Sequence, residues 1–256
     1  MYSLIKYLIF FIVLTSLQLS AQQIYVDKLD NVYVVQQDKI LKYDSKGILQ
    51  YEASFKKYGT VTSLDVSDPF KIMVFFGDFA RIVFLDNTLN ANQGSYSLYS
   101  KDIINPSLVC SADDKSLWIY DKQLYSLIKT NENLQQLLRI TDMQVIIGTD
   151  FEPVCMRQQN NYLFLSDPLQ GIFIFDKYGS LLKTLHYKNI EHFEVDDNYI
   201  YFAENNEIKI ISHTLFEEYS IPLKELMPLV FAVRGGFIYI LNRSDFTYTK
   251  EKLSFK

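Results

Sequence analysis

The chain has 256 residues, 48% apolar and 21% charged, a balance that excludes a disordered or fibrous protein. Aromatics reach 15%, with 19 Tyr, 19 Phe and one Trp against only 9 Gly. Aromatic richness favours strands, and scarce glycine leaves the turns to Asn and Asp. The formal net charge of −5 argues against nucleic-acid binding, which needs a basic excess to meet phosphate.

Residues 1–21 read as an export signal. Lys6 supplies the positive start, Tyr7 to Leu14 are almost unbroken apolar, and Leu19-Ser20-Ala21 offer a small-residue cleavage point before Gln22. The apolar run falls short of the ~20 residues a membrane span needs. The only cysteines are Cys110 and Cys155, far from the cleavage point, so no lipid anchor is expected. Cleavage removes Lys6 and no acid, taking −5 to −6. The expected product is a single domain over 22–256, exported to the periplasm or cell surface and free of the membrane.

Repeats organise the rest. A polar turn recurs as Leu29-Asp30-Asn31, Ser67-Asp68-Pro69, Asp113-Asp114-Lys115, Gln159-Asn160-Asn161, Asp196-Asp197-Asn198 and Arg234-Gly235-Gly236, in steps of 38, 46, 46, 37 and 38. An apolar strand follows each turn, such as Val32-Tyr33-Val34-Val35 or Leu117-Trp118-Ile119-Tyr120. A second landmark, the turn that ends a third strand, falls at Asp44, Asp86, Thr130, Asp176 and Ser212, and a fourth strand follows it, as in Ile48 to Ser54. The best helical stretch, Glu132 to Met143, fits the same repeat as a turn plus a fourth strand. Four antiparallel strands per unit of this length predict an all-β propeller of six blades and about 23 strands, with almost no helix.

The first unit, Ile24-Tyr25-Val26-Asp27 … Val32-Tyr33-Val34-Val35 … Ile40-Leu41-Lys42-Tyr43-Asp44 … Gly47, resembles the repeat of NHL-like six-bladed propellers. The resemblance is at the level of the repeat. It implies a binding platform more often than an enzyme, and it carries no catalytic residues over. The last unit is expected to have three strands, with Leu253 to Lys256 as the third and Asn242 to Lys252 as an insertion. Ring closure would then rest on face-to-face packing of the first and last blades, or residues near Gln22 would extend to complete the last blade.

No zinc-type, Walker, GxSxG or HExxH pattern occurs. No cofactor, metal or catalytic residue is therefore assigned. Asp44, Asp86 and Asp176 recur by repeat position and read as turn residues. Similarity to six-bladed lactonases would imply a calcium held at the channel, for which Asp27, Asp65 and Glu194 on first strands are the available acids. Cys110 and Cys155 occupy equivalent places in neighbouring units. They are expected as buried thiols rather than a bridge, and as unreactive, since neither has a His or basic partner near it in sequence.

Partner binding is expected on the channel rim, in the loops joining strand 2 to strand 3 and strand 4 to the next blade. Tyr58, Phe79, Tyr99 and Phe151 lie there, with packing against the blade cores as the competing assignment for these rings. The overall expectation is a non-enzymatic interaction or scaffold module of the bacterial cell envelope whose partner is another envelope protein. The alternatives are a channel-site calcium-dependent hydrolase or lactonase, or a small-ligand or glycan binder.

Overall fold

The computed structural model describes residues 22–100, 102–223 and 229–254; the expected export signal lies outside them. Six separate antiparallel sheets follow one another along the chain. Blade 1 is β1 (Gln23–Val26), β2 (Val32–Gln36), β3 (Lys39–Tyr43) and β4 (Leu49–Ser54). Blade 2 is β5 (Ser63–Asp65), β6 (Ile72–Phe76), β7 (Arg81–Leu85) and β8 (Ser95–Ser97). Blade 3 is β9 (Pro106–Ser111), β10 (Leu117–Asp121), β11 (Ser126–Thr130) and β12 (Gln136–Ile140). Blade 4 is β13 (Cys155–Gln159), β14 (Tyr162–Asp167), β15 (Gly171–Asp176) and β16 (Leu181–Leu185). Blade 5 is β17 (Phe193–Val195), β18 (Tyr199–Glu204), β19 (Glu207–Ser212) and β20 (Glu218–Pro222). Blade 6 is β21 (Phe231–Arg234), β22 (Phe237–Leu241) and β23 (Tyr248–Lys252). The chain is a six-bladed β-propeller. Its one α-helix among the described residues is the five-residue α1 (Met143–Ile147), in the connection between blades 3 and 4.

Burial follows position within the blade. Second strands are sandwiched between neighbouring blades, so β6 and β10 are buried at every residue and read as continuous apolar runs. Fourth strands face water: β4 is exposed at every residue but Ala53, and such edges carry Lys and Glu. Hydrophobic clusters form between adjacent blades. One, for example, joins Tyr33 and Val35 of blade 1 to Val74 and Val83 of blade 2.

The turns between third and fourth strands explain the repeat of acids. Asp44 Oδ1 accepts the Lys46 and Ile48 amides at 2.9 Å each. Asp86 does the same for Thr88 and Asn90, and Asp176 for Tyr178 and Ser180. In blade 3 this acceptor is Asn131, which holds the Asn133 and Gln135 amides, one residue beyond the expected Thr130. The side-chain oxygen fixes the turn and the residue three positions on takes the left-handed backbone. That residue is Gly47 or Gly179 in two turns, but Leu89 (φ 64°) and Leu134 (φ 59°) in the others. Burial of Leu89 offsets the ~1–2 kcal/mol cost of that conformation.

Blade 6 has three strands, as expected, but the third lies earlier than the sequence suggested. Residues Tyr248–Lys252 form β23, paired with β22 from Leu241↔Tyr248 to Phe237↔Lys252, where an insertion was expected. Asn242 and Asp245 fold the preceding residues into a compact turn by accepting the Ser244 and Thr247 amides. The chain is therefore ready to pair by Tyr248. Among the described residues, blades 1 and 6 share no ladder. Ile24, Val32 and Val34 pack directly against Ala232, Tyr239 and Leu241, so the ring is closed by apolar contact.

Candidate functional site

The first strands of the blades line the ring axis. Two cavities open along it, of about 650 Å³ and 530 Å³. Their walls share Tyr25, Ser63, Val109 and Arg157, so these residues form the partition between the two ends of the channel. Arg157, on β13, lies with its guanidinium carbon 5.9 Å from the centre of the Tyr25 ring on β1, across the channel. Its Nη2 is 3.4 Å from Glu194 Oε1 on β17. The same carboxylate oxygen lies 3.1 Å from His192 Nε2, and that nitrogen is 2.9 Å from the Phe231 carbonyl. The Cys155 Sγ lies 4.0 Å from the Phe193 carbonyl, on the wall of the same cavity as His192.

These groups set each other's ionisation. Burial alone would lower the His192 pKa, but the neighbouring Cys155 and Glu194 prevail and lift it to about 9. His192 is therefore protonated at neutral pH, and its contact with Glu194 is an ion pair. Burial would raise Glu194, yet Arg157 and His192 hold it below the usual carboxylate range. Burial would likewise raise the Cys155 thiol; Arg157 and His192 together outweigh it and hold the thiol below its ordinary value. For Cys110, burial and the nearby Asp65 outweigh Arg157 and push the thiol well up. Cys110 and Cys155 are both free and buried, as expected. The expectation that neither has a His or basic partner is overturned for Cys155.

The pairing is legible in retrospect. The turns at Asn160 and Asp197 are 37 positions apart, and so are Cys155 from His192 and Arg157 from Glu194. Superposing units four and five places each pair at one level of adjacent, parallel first strands. Reading distance along the chain alone hid both pairs.

The acids proposed for a channel cation are not brought together. Asp27 is buried away from the channel, where it accepts the Leu29 and Asn31 amides and the Tyr33 hydroxyl. Asp65 holds the Ser67 amide and, across to β9, the Ser111 amide at 2.7 Å. Glu194 is taken by Arg157 and His192.

The predicted rim residues fall into two groups. Strand 2→3 turns and the blade-to-blade connections share one end of the ring by topology, and all four residues lie in such segments. Tyr58 is half-buried, its ring 5.2 Å from that of Phe76. A Cβ at Gly59 would stand 3.1 Å from the Phe79 ring, so Phe79 lies over the backbone beside Tyr58. The Leu98 amide donates to the Ala80 carbonyl at 2.7 Å, which sets Tyr99 next to the turn bearing Phe79. Phe79 and Tyr99 are each 56% exposed. Phe151 is instead a core residue with no exposed surface, its ring 5.7 Å from Tyr120 and 5.1 Å from Phe173. It turns inward because Asp167 accepts the Glu152 amide and Tyr120 donates its hydroxyl to the Phe151 carbonyl. Exposed Ile104, Val145, Val154 and Leu169 occupy the same end of the ring and were not anticipated.

No protein-family model and no curated protein matches the chain. Among solved structures it is similar to a streptogramin B lyase, at 16% identity and TM-score 0.63, over 92% of this chain and 83% of that one. It is also similar to a chain of a nidogen/laminin complex, at 10% identity and TM-score 0.65, over 87% and 89% of the two chains. A putative exported protein from Bacteroides fragilis matches at 9% identity and TM-score 0.60, over 86% and 78%. At these identities the likeness is one of fold.

Proposed function

We propose that this protein is an exported interaction module of the bacterial cell envelope that binds another envelope protein through the ring end bearing Phe79 and Tyr99. The observation that carries the reading is two large aromatic rings, each more than half exposed, on neighbouring hydrogen-bonded segments at one end of the ring. Rigid aromatic anchors of this kind supply contact area at low entropic cost and dominate interfaces. Exposed Ile104 extends the patch along the same rim. The signal-like residues 1–21 support export. The similarity of the fold to a chain from a nidogen/laminin complex is in keeping with a propeller that works by binding protein.

Tagged protein is used to recover partners from the native envelope, in parallel with a Phe79→Ala/Tyr99→Ala variant. The variant is expected to fold and to lose the partner. Full recovery by a folded variant would remove these rings from the interface. Intact mass of the exported protein tests cleavage before Gln22; retention of residues 1–21 would contradict it.

A second reading, a channel-site enzyme or small-ligand binder, is favoured by the Cys155–His192–Glu194 array beside a cavity. Its calcium-dependent form is not favoured, because Asp27, Asp65 and Glu194 already satisfy amides, hydroxyls or cations of the fold.

A further inference from the structure

Among the described residues blade 6 alone lacks a fourth strand, and its neighbours show what that leaves open. Directly opposite residues of a ladder share a face. Val32 and Val34 face blade 6 in the closing cluster. Their partners Tyr43 and Leu41 on β3 therefore face it too, and so does Leu49, opposite Tyr43 on β4. Elsewhere the apolar third-strand residues that face the preceding blade, Val83, Leu85, Ile128, Phe173, Phe175 and Ile211, are buried. Leu41 and Tyr43 are only half-buried, and Leu49 is exposed. Fourth strands explain the contrast. They add Ala53 between blades 1 and 2, Ile140 between blades 3 and 4, and Tyr219 between blades 5 and 6. Among the described residues none adds a side chain between blades 6 and 1.

The gap runs beside a main-chain edge. The Leu253 amide donates to the Gly236 carbonyl, and the Thr247 carbonyl accepts the Asn242 amide. By alternation, Thr249 and Glu251 turn their backbone groups toward β22, while Tyr248, Lys250 and Lys252 turn theirs outward. The side chains of these three residues face blade 1, as do their partners Leu241, Tyr239 and Phe237. The Lys250 ammonium lies over the Phe237 and Tyr239 rings, 4.5 and 5.1 Å from their centres. Neither Lys250 nor Lys252 has a carboxylate partner among the described residues.

We propose that the outer edge of β23 is a strand-addition site, where an extended acidic segment of another protein pairs with Tyr248–Lys252 as the fourth strand of blade 6. Such a segment carries acids opposite Lys250 and Lys252 and an apolar residue opposite Tyr248. The two unpaired ammonium groups select the acids. The Tyr43 ring, 5.8 Å from that of Tyr248, and Leu49 beside it select the apolar side chain. Read along its own antiparallel direction, the segment runs acid, any residue, acid, any residue, apolar. Main-chain bonds to the edge supply affinity, and the alternate side chains supply specificity.

A second copy of this chain is the poorer occupant. Two β23 strands paired over their full length set Lys250 against Lys250, and like charges directly opposite are destabilising. The edge lies on the circumference of the ring, away from Phe79 and Tyr99. The strand-addition site and the rim interface are therefore separate, and each can fail without the other.

Amide hydrogen exchange at Tyr248, Lys250 and Lys252 of the purified exported protein is read by NMR. Two end-blocked peptides are added in turn at ~1 mM, Glu-Val-Glu-Val-Leu and Lys-Val-Lys-Val-Leu. The acidic peptide is expected to slow exchange about tenfold, and the basic one less than about twofold. Lys250→Glu/Lys252→Glu should reverse that preference. Lys250→Pro removes only an outward N–H, which an edge strand tolerates, and should abolish the slowing at Tyr248 and Lys252. If the proline variant does not fold, the charge-reversed variant still decides the matter. No slowing by the acidic peptide, equal slowing by both, or slowing that survives Lys250→Pro would overturn the proposal. Slow exchange at all three amides before any peptide is added would also overturn it. A dimer in sedimentation would then identify a second copy as the occupant, and a monomer would identify this chain's own end.

Discussion

Replacing Asp121 tests how the blade connections are held. Asp121 ends β10, and its carboxylate is fully buried. Oδ2 accepts the Ile104 and Asn105 amides at 2.6 and 3.1 Å; Oδ1 accepts the Gln123 and Leu124 amides at 3.0 and 2.9 Å. One side chain therefore ties the strand 2→3 turn of blade 3 to the segment arriving from blade 2. Asp121→Ala leaves four donors unpaired. A hydrogen bond to a charged group contributes roughly 1.5–3 kcal/mol. The four share one carboxylate and the segment can partly rehydrate, so the loss should be about 3–5 kcal/mol, a large part of the ~5–15 kcal/mol available to a folded protein. Asp121→Asn keeps one oxygen but turns an amide N–H₂ toward two donors, and should cost about 2–3 kcal/mol. Urea unfolding followed by fluorescence of Trp118, the only tryptophan and buried in the same strand, measures both. An Asp121→Ala protein within 1 kcal/mol of wild type would refute the reasoning.

Other outcomes follow from single contacts. Phe151→Ala should cost about 3–5 kcal/mol in urea unfolding, whereas Phe79→Ala should stay within about 1 kcal/mol; equal costs would contradict their placement. Gly171→Ala forces a Cβ onto the Leu185 carbonyl at a backbone φ of +127° and should cost at least about 3 kcal/mol, read the same way. The His192 ring should titrate near pH 9 by NMR, and Glu194→Gln should bring that midpoint down. Because the folded pKa is raised, the stability contributed by protonated His192 is complete below its unfolded pKa of about 6.5. It is lost as pH rises toward 9. Urea midpoints of wild type and His192→Gln at pH 6 and pH 9 should therefore converge on the alkaline side.

What could be read from the sequence was local. Turn acids such as Asp44 and Asp86 bond to amides two and four residues away, so their spacing carries the blade repeat in plain text. Runs such as Val32 to Val35 announce strands buried on both faces. The polar strand Tyr248–Lys252 was missed because an outer edge strand carries no apolar face to signal it. Phe151 was misplaced because its direction depends on Tyr120 and Asp167, in two different strands. The Cys155–His192–Glu194 array depends on two parallel first strands meeting at one level, a relation visible only when units are superposed. Left-handed positions were expected at Asn and Asp. Several fall on Leu89, Leu134 and Phe216 instead, where the neighbouring acceptor side chain, rather than the residue's own preference, fixes the turn.

The central claim is that one end of the ring is the binding end. Photo-cross-linking residues introduced separately at Tyr99 and at Leu215, which is 71% exposed in a strand 3→4 turn at the other end, test it in the intact envelope. The account predicts one specific cross-linked protein from position 99 and none from position 215. A cross-link from position 215 alone, or from neither position, would contradict it.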